Sequence, residues 1–221
     1  MIKVKTLYSK ALNFLYEVNY CPVCRNEGAG LCRFCKMDIH RFGEHRINEI
    51  KGYTMFFYKG AAERLIYGFK KRLKFSCRDA LTELMEEEFP TVCESWSIQG
   101  VSKPELIVHI PSNKRNIAKR GFDPGLLLAE DFSKISGIGL LNCTENKSKS
   151  ETKSMDHLGR KLMLEANLGI KPGSEDKLKG KNVLIFDDIV TSGASIRSMA
   201  SKLYAEGAGE VSFLTLLKST K

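Results

Sequence analysis

An α/β fold, a parallel sheet flanked by helices, is predicted for this 221-residue chain by three observations. Residues 106–110 (LIVHI) and 183–186 (VLIF) are short apolar runs without polar alternation, as strands buried on both faces require. Segments with helical apolar spacing separate the strand candidates, and strands joined through helices form parallel sheets with right-handed crossovers. Turn residues end each run: Pro111 after the first, and Thr191, Ser192 and Gly193 shortly after the second.

The elements follow in order. Residues 2–18 read as an amphipathic helix and lead into a cysteine-rich knuckle. A strand is expected over 53–58. A helix over 61–74 places Leu65, Ile66, Phe69 and Leu73 on one side and Arg64, Lys70, Lys71 and Lys74 largely on the other. Leu81, Leu84 and Met85 begin a further helical face, expected to break at Pro90. The strand over 106–110 is followed by a helix over 126–135 and by the strand at 183. A helix with Ile196, Met199, Ala200 and Leu203 on one face stops at Gly207-Ala-Gly209, and residues 211–217 give the last strand. The polar stretch 144–156 reads as a mobile loop inside the domain, because the sheet is completed only after it. Two units result: residues 1–50, a helix and a knuckle, and residues 51–221, the α/β domain.

Composition limits the partners and the compartment. Thirty-five Lys and Arg against 26 Asp and Glu give a net charge of +9, which favours polyanions. No apolar stretch approaches the length of a membrane span, so no membrane insertion is expected. Lys3, Lys5 and Lys10 precede no uninterrupted apolar core or small-residue cleavage site, unlike a signal peptide. Seven cysteines, an odd number, with Cys77, Cys93 and Cys143 scattered, suit a reducing compartment, so a cytoplasmic location is expected.

The richest chemistry follows the run at 183–186. Asp187 and Asp188 come first, then two apolar residues, then Thr191, Ser192, Gly193, Ala194 and Ser195 at the start of a helix. In open α/β sheets ligands bind at the carboxyl ends of strands, and free N–H groups at a helix start favour phosphate. Gly193 and Ala194 let the backbone approach an anion, and the three hydroxyls add donors. Two carboxylates would repel that phosphate; they suit sugar hydroxyls or a magnesium ion beside it. A helix-capping turn explains Ser195 but not the acid pair, so the pattern points to a sugar phosphate.

Cys21-Pro-Val-Cys24 and Cys32-Arg-Phe-Cys35, seven residues apart, offer four thiolates for a tetrahedral structural zinc ion. So short a knuckle has almost no apolar interior, and the metal must supply its folding free energy. His40 or His45 replacing one thiolate, and two disulfides in place of the metal, are the alternatives. After the strand at 106–110, Pro111, Ser112, Asn113, Lys114 and Arg115 open a loop that continues through Lys119 and Arg120, with no acid until Asp123. Such a loop suits a pyrophosphate; a solvated basic loop is the competing reading. Residues 58–78 carry seven basic residues and one acid, interleaved with Tyr58, Tyr67, Phe69 and Phe75. Lys59, Arg64, Lys70, Lys71 and Lys74 are therefore candidate nucleic-acid contacts, since basic and aromatic groups together track a backbone and stack bases. Core aromatics beside a solvated lysine face give the same pattern.

The segment 183–195 resembles the phosphoribosyl pyrophosphate (PRPP) motif of type I phosphoribosyltransferases. The resemblance implies that Asp187 and Asp188 hold the ribose hydroxyls, that Thr191 to Ser195 cradle the 5′-phosphate, and that Mg2+ accompanies PRPP; Ser192 and Ser195 are often Thr in that family. The two CxxC pairs, Tyr58-Lys-Gly60 leading to Phe69-Lys-Lys71, and Pro111 with Arg120-Gly-Phe-Asp123 precede this motif. In that order they resemble ComF-family competence proteins over nearly the whole chain. That family usually carries Arg-x-Thr-Lys-x-Gln next; here Thr152, Lys153 and Met155 stand in the pattern, followed by Leu158, Arg160 and Asn167. The resemblance implies a type I phosphoribosyltransferase-like sheet and a role in natural transformation, handling incoming single-stranded DNA beside a competence helicase. An active transferase, moving ribose 5-phosphate from PRPP to an amine or nucleobase, is the alternative, though no residue presents itself for the acceptor. A PRPP-sensing regulator is a third reading.

Overall fold

The chain enters the sheet through a hairpin, β1 (Arg41–Ile47) and β2 (Ile50–Phe57), paired antiparallel from Arg41↔Phe56 to Ile47↔Ile50. Asn48 turns the corner at φ 53, a left-handed conformation that asparagine tolerates better than most residues. The computed structural model describes residues 20–147 and 167–219. The helix expected over 2–18, and positions 152–160 of the family pattern, lie outside them.

Beyond the hairpin come α2 (Gly60–Arg72), which follows the short α1 of the knuckle (Arg33–Met37), then α3 (Phe75–Gln99) and β3 (Leu106–His109). Next are α4 (Lys114–Arg120), α5 (Pro124–Ser136), β4 (Gly139–Leu140) and β5 (Thr144–Asn146). The chain ends with β6 (Leu168–Ile170), α6 (Glu175–Leu178), β7 (Val183–Val190), α7 (Ala194–Ala205) and β8 (Val211–Lys218). The main sheet has the order β1-β2-β8-β7-β3-β4 and is parallel except at β1. The α/β class read from the sequence is therefore present.

Each face of the sheet carries its own core. Leu184, Phe186 and Leu214 meet Leu65, Ile66 and Phe69 of α2, Leu81 and Met85 of α3, and Leu128 and Phe132 of α5. On the other face Val183, Ile185 and Phe213 meet Ile196, Met199 and Leu203 of α7. The apolar runs are continuous because β7 and β8 are covered on both sides. Arg78 on α3 pins α5 through a forked pair with Asp131, at 2.6 and 2.7 Å.

Four local expectations change. The strand at 183 continues to Val190, so the acid pair lies inside it. β3 stops at His109, but β8 keeps pairing, with Asp187↔Thr215 and Val190↔Lys218. The helix expected to break at Pro90 runs through it; a helix proline costs ~3 kcal/mol, but Pro90 is exposed while Leu84, Met85, Val92 and Trp96 are buried around it. Leu73 does not join the inner face of α2: it is the left-handed C-cap, 43% exposed. The polar stretch at 144 begins as a strand, β5, paired antiparallel with β6. Its polar side chains face carbonyls that need donors: Thr144 Oγ1 donates to His109 O at 2.8 Å and Asn146 Nδ2 to Pro111 O at 3.3 Å.

Candidate functional site: the carboxyl end of the sheet and the four-cysteine knuckle

β7 delivers Asp187 and Asp188 to the carboxyl edge of the sheet. Asp188 is 7% exposed and its Oδ2 accepts a hydrogen bond from Lys70 Nζ at 2.7 Å. Lys70, a candidate for nucleic-acid contact in sequence, thus turns inward from the end of α2 to the acid pair. Burial works against its charge, but Asp188 and then Asp187 outweigh that and raise its pKa. Asp187 Oδ1 accepts from the N–H of Asp188 at 2.9 Å. Burial, followed by the Asp188 charge, raises its pKa well above the ordinary carboxylate range, against the pull of Lys70.

The loop 191–193 follows directly and opens α7. Gly193 is its N-cap, at φ 74, and brings no side chain to satisfy the free N–H groups of the first turn. A Cβ there would lie 2.6 Å from Cγ2 of Ile47, so both the conformation and the space demand glycine. Two cations hold the loop's carbonyls: Lys218 Nζ donates to Thr191 O at 2.7 Å and Arg197 Nη1 to Ser192 O at 2.8 Å. Thr191 and Ser192 are exposed, Ala194 is buried and Ser195 is half-buried. The arrangement offers N–H and hydroxyl donors beside two carboxylates, the complement of a phosphate next to vicinal hydroxyls.

The basic segment after β3 folds differently from an open loop. Pro111, Ser112 and Asn113 are irregular, a helix takes up Lys114–Arg120, and Gly121, Phe122 and Asp123 are irregular again. Asn113 caps α4 by accepting from Arg115 N at 2.8 Å, and Lys114 and Arg115 project to solvent from its first turn. Asp123 fastens this segment. It accepts from Ser112 N at 2.9 Å, from Ser112 Oγ at 2.7 Å and from Gly125 N at 3.1 Å as the N-cap of α5. His109 Nε2 lies 3.5 Å from the same carboxylate. Burial would raise the pKa of Asp123, but His109 and the two Ser112 donors hold it below the usual range. A Cβ on Gly125 would be 3.5 Å from Asp123 Oδ1 and 3.9 Å from Asp188 Oδ2, so the two carboxylates converge on one bare stretch of backbone. Phe122 stacks on Phe69 at 5.8 Å and packs against Phe75 at 5.7 Å. These ring contacts join the Arg-Gly-Phe-Asp element to the end of α2, where Lys70 departs.

Sequence reasoning found the acid pair and the loop but missed their supports: Lys70 as the partner of Asp188, Asp123 as a clasp, and Arg197, Lys218 and Ile47 behind the loop. Among the other basic candidates, Lys59 is exposed with Nζ 5.0 Å from the centroid of the Phe57 ring, and Arg64 bonds Asp38 at 2.9 Å. Lys71 is exposed and Lys74 half-buried. Phe69 and Phe75 are core residues; Tyr67, 48% exposed, is the ring that faces solvent.

In the knuckle the four thiol sulfurs of Cys21, Cys24, Cys32 and Cys35 lie within 4.8 Å of one another. Metal–sulfur bonds of ~2.3 Å in a tetrahedron put sulfurs ~3.8 Å apart, so the cage is sized for such an ion. Burial raises the Cys21 thiol, but the N–H groups of Cys24, Cys32 and Val23 bring it down to about 6, whereas burial and the neighbouring sulfurs push the Cys35 thiol up, so a metal's charge would be needed to hold all four as thiolates. None of the seven cysteines is in a disulfide, and the four knuckle sulfurs gather as one cluster, the arrangement of the metal reading. Neither histidine joins the cage among the described residues: His40 is exposed, and His45 sits in β1 against Phe42 and Phe213. The knuckle docks on the α/β domain through Lys36 to Glu83 and Glu87, Arg64 to Asp38, and Cys21 and Cys35 packed on Ala61.

No protein-family model matches the chain. It is 25% identical over 202 residues to Competence protein ComFC of Bacillus subtilis, covering 90% of this chain and 78% of that one. It is 27% identical over 155 residues to DNA utilization protein YhgH of Escherichia coli, covering 67% of this chain and 65%, just under two thirds, of YhgH. A solved adenine phosphoribosyltransferase superposes with a TM-score of 0.46 at 14% identity, covering 84% of this chain and 88% of the other. Among the described residues no helix is long and apolar enough to cross a membrane. The competence-protein resemblance read from the motifs is borne out: the chain is similar to ComFC and to the YhgH proteins.

Proposed function

We propose that this protein binds PRPP with Mg2+ at the carboxyl end of its sheet and handles single-stranded DNA during uptake, with a structural zinc ion in the four-cysteine cage. The observation that carries the proposal is the acid pair of β7 running straight into the glycine-capped start of α7, in a chain similar to proteins named for competence and DNA utilization. Asp187 and Asp188 hold the ribose hydroxyls, residues 191–195 the 5′-phosphate, and residues 111–115 the pyrophosphate. Lys70 holds Asp188 in place through their ion pair. Mg2+ would neutralise the pyrophosphate and relieve the crowding of negative charge around Asp187. Four sulfurs in a cage of this size favour zinc over harder cations. Seven cysteines outside any disulfide suit the cytoplasm, where a helicase would be the partner on the incoming strand.

Binding of a labelled single-stranded oligonucleotide, compared with duplex over a salt series, with and without PRPP–Mg2+, tests this reading. A single-strand preference that survives moderate salt and responds to PRPP is expected. Weak binding that vanishes with salt and ignores PRPP is the nonspecific attraction of a basic protein, and would favour the transferase reading instead.

A further inference from the structure

The knuckle and the outer face of α2 enclose a cleft of about 250 Å³ away from the acid pair. Pro22, Val23 and Arg25 form its knuckle side; Arg64, Tyr67, Arg72 and Lys74 face them. None of the described residues lining it is acidic. Arg64, Arg72 and Lys74, with Arg25 opposite, make the lining positive, and Arg64 also bonds Asp38. Three basic residues in the last turn of α2 complement its dipole, which explains the presence of Arg72 but not its meeting with Lys74 and Arg25 in one cleft. The guanidinium of Arg72 lies 5.6 Å from the centre of the half-exposed Tyr67 ring, coupling a cation to an aromatic platform. The volume is below the ~300–1,000 Å³ of pockets that engulf small molecules, and suits one stretch of a chain passing through.

We propose that this cleft seats the phosphodiester backbone of single-stranded DNA, with one base stacked on Tyr67 beside Arg72. The proposal rests on the single-strand reading above and gives it a location: the metal-held knuckle is one wall of the binding site. A phosphate in the cleft meets Arg72 and Lys74 on one side and Arg25 on the other, and an unstacked base finds the open face of the tyrosine. The ring contact is tolerant of sequence, because every base has a π-face.

The test is binding of a short labelled oligothymidylate over a salt series to the zinc-loaded full chain and four variants. These are Arg72→Ala with Lys74→Ala, Arg25→Ala, Tyr67→Ala, and Lys103→Ala with Lys177→Ala, exposed lysines outside the cleft, as a charge-matched control. Zinc content and melting temperature confirm that each is folded. The cleft double variant is expected to bind about tenfold more weakly, its log–log salt slope reduced by ~1.4, two phosphates at ~0.7 each. Arg25→Ala should lower the slope by about half as much. Tyr67→Ala should cost at least about fivefold on the oligothymidylate and nothing on an abasic strand of the same length. A cleft double variant that behaves like the control overturns the location while leaving single-strand binding intact. A wild-type protein without single-strand preference overturns the functional reading, and this proposal with it. Competition by a free nucleoside triphosphate as effective as by the strand would make the cleft a nucleotide site and overturn the polymer.

Discussion

The knuckle and the sheet end are both polar sites, but one is built from neighbours in sequence and the other from residues scattered along the chain. The four thiols come from residues 21–35, and among the described residues their fully buried apolar cluster is Cys21, Cys35 and Ala61. The sheet end draws Lys70 onto Asp188 across 118 positions and Ser112 onto Asp123 across 11, against a large two-faced core. A metal can hold the first; apolar burial must hold the second. The difference implies that each region fails under its own stress.

The largest effect is expected from the metal. Structural zinc contributes an apparent ~10–16 kcal/mol, far more than so small an interior supplies. Cys21→Ser, or chelation, should release the metal and open residues 20–40 to proteolysis while the sheet keeps its far-ultraviolet signal. Full metal content in the variant would contradict the four-thiol cage, and collapse of the whole protein would show that the two regions are one cooperative unit.

Next is the ion pair at the sheet end. Lys70→Met leaves Asp188 nearly buried without its cation, a loss of up to about 3 kcal/mol given that Lys70 retains some exposure. Adding Asp188→Asn should recover much of it, and denaturant titration of the double-mutant cycle measures the coupling. Additive losses would mean that the pair contributes nothing beyond its parts.

The third effect has the opposite sign. The Asp187 carboxyl is raised in the folded state by burial and by Asp188, so ionising it opposes folding. That penalty is absent below the ordinary carboxylate range and grows as the pH rises toward the raised folded value. Asp187→Asn should therefore melt a few degrees higher than wild type near pH 7, with the gap closing near pH 3. Equal melting temperatures at neutral pH would remove the strain assigned to this residue.

The smallest effect concerns His45, whose two ring nitrogens are buried without hydrogen-bonding side-chain partners among the described residues. Burial, then the charge of Lys218, depresses its pKa below that of a free imidazole. As the pH falls through about 6.5 the unfolded chain takes up a proton before the folded one does, and stability is lost. His45→Phe should flatten that decline between pH 7.5 and 5.5 in thermal melts; an unchanged slope would place the titration elsewhere.

The same contrast explains what could be read in advance. The thiol cage was legible down to its ligands because CxxC turns fix their own geometry. Asp187, Asp188 and the 191–195 loop were legible because a buried strand feeding a helix is a local pattern. Lys70 was not: in sequence it shares a basic run with Lys71 and Arg72, and only the rotation of α2 over the sheet selects it. Gly193 announced a close approach, but not that Ile47 fills the space. Asn146 and Thr144 looked like loop residues because their partners are backbone carbonyls of another segment, which no side-chain pattern records.

The most direct measurement is calorimetric titration of PRPP with Mg2+ into wild-type protein and the Asp187→Asn/Asp188→Asn double variant, both with full metal content and a cooperative melt. The account predicts saturable binding by wild type and at least a tenfold loss in the variant, about 1.4 kcal/mol. Equal affinity in the two proteins would contradict the assignment of the sheet end as the PRPP site.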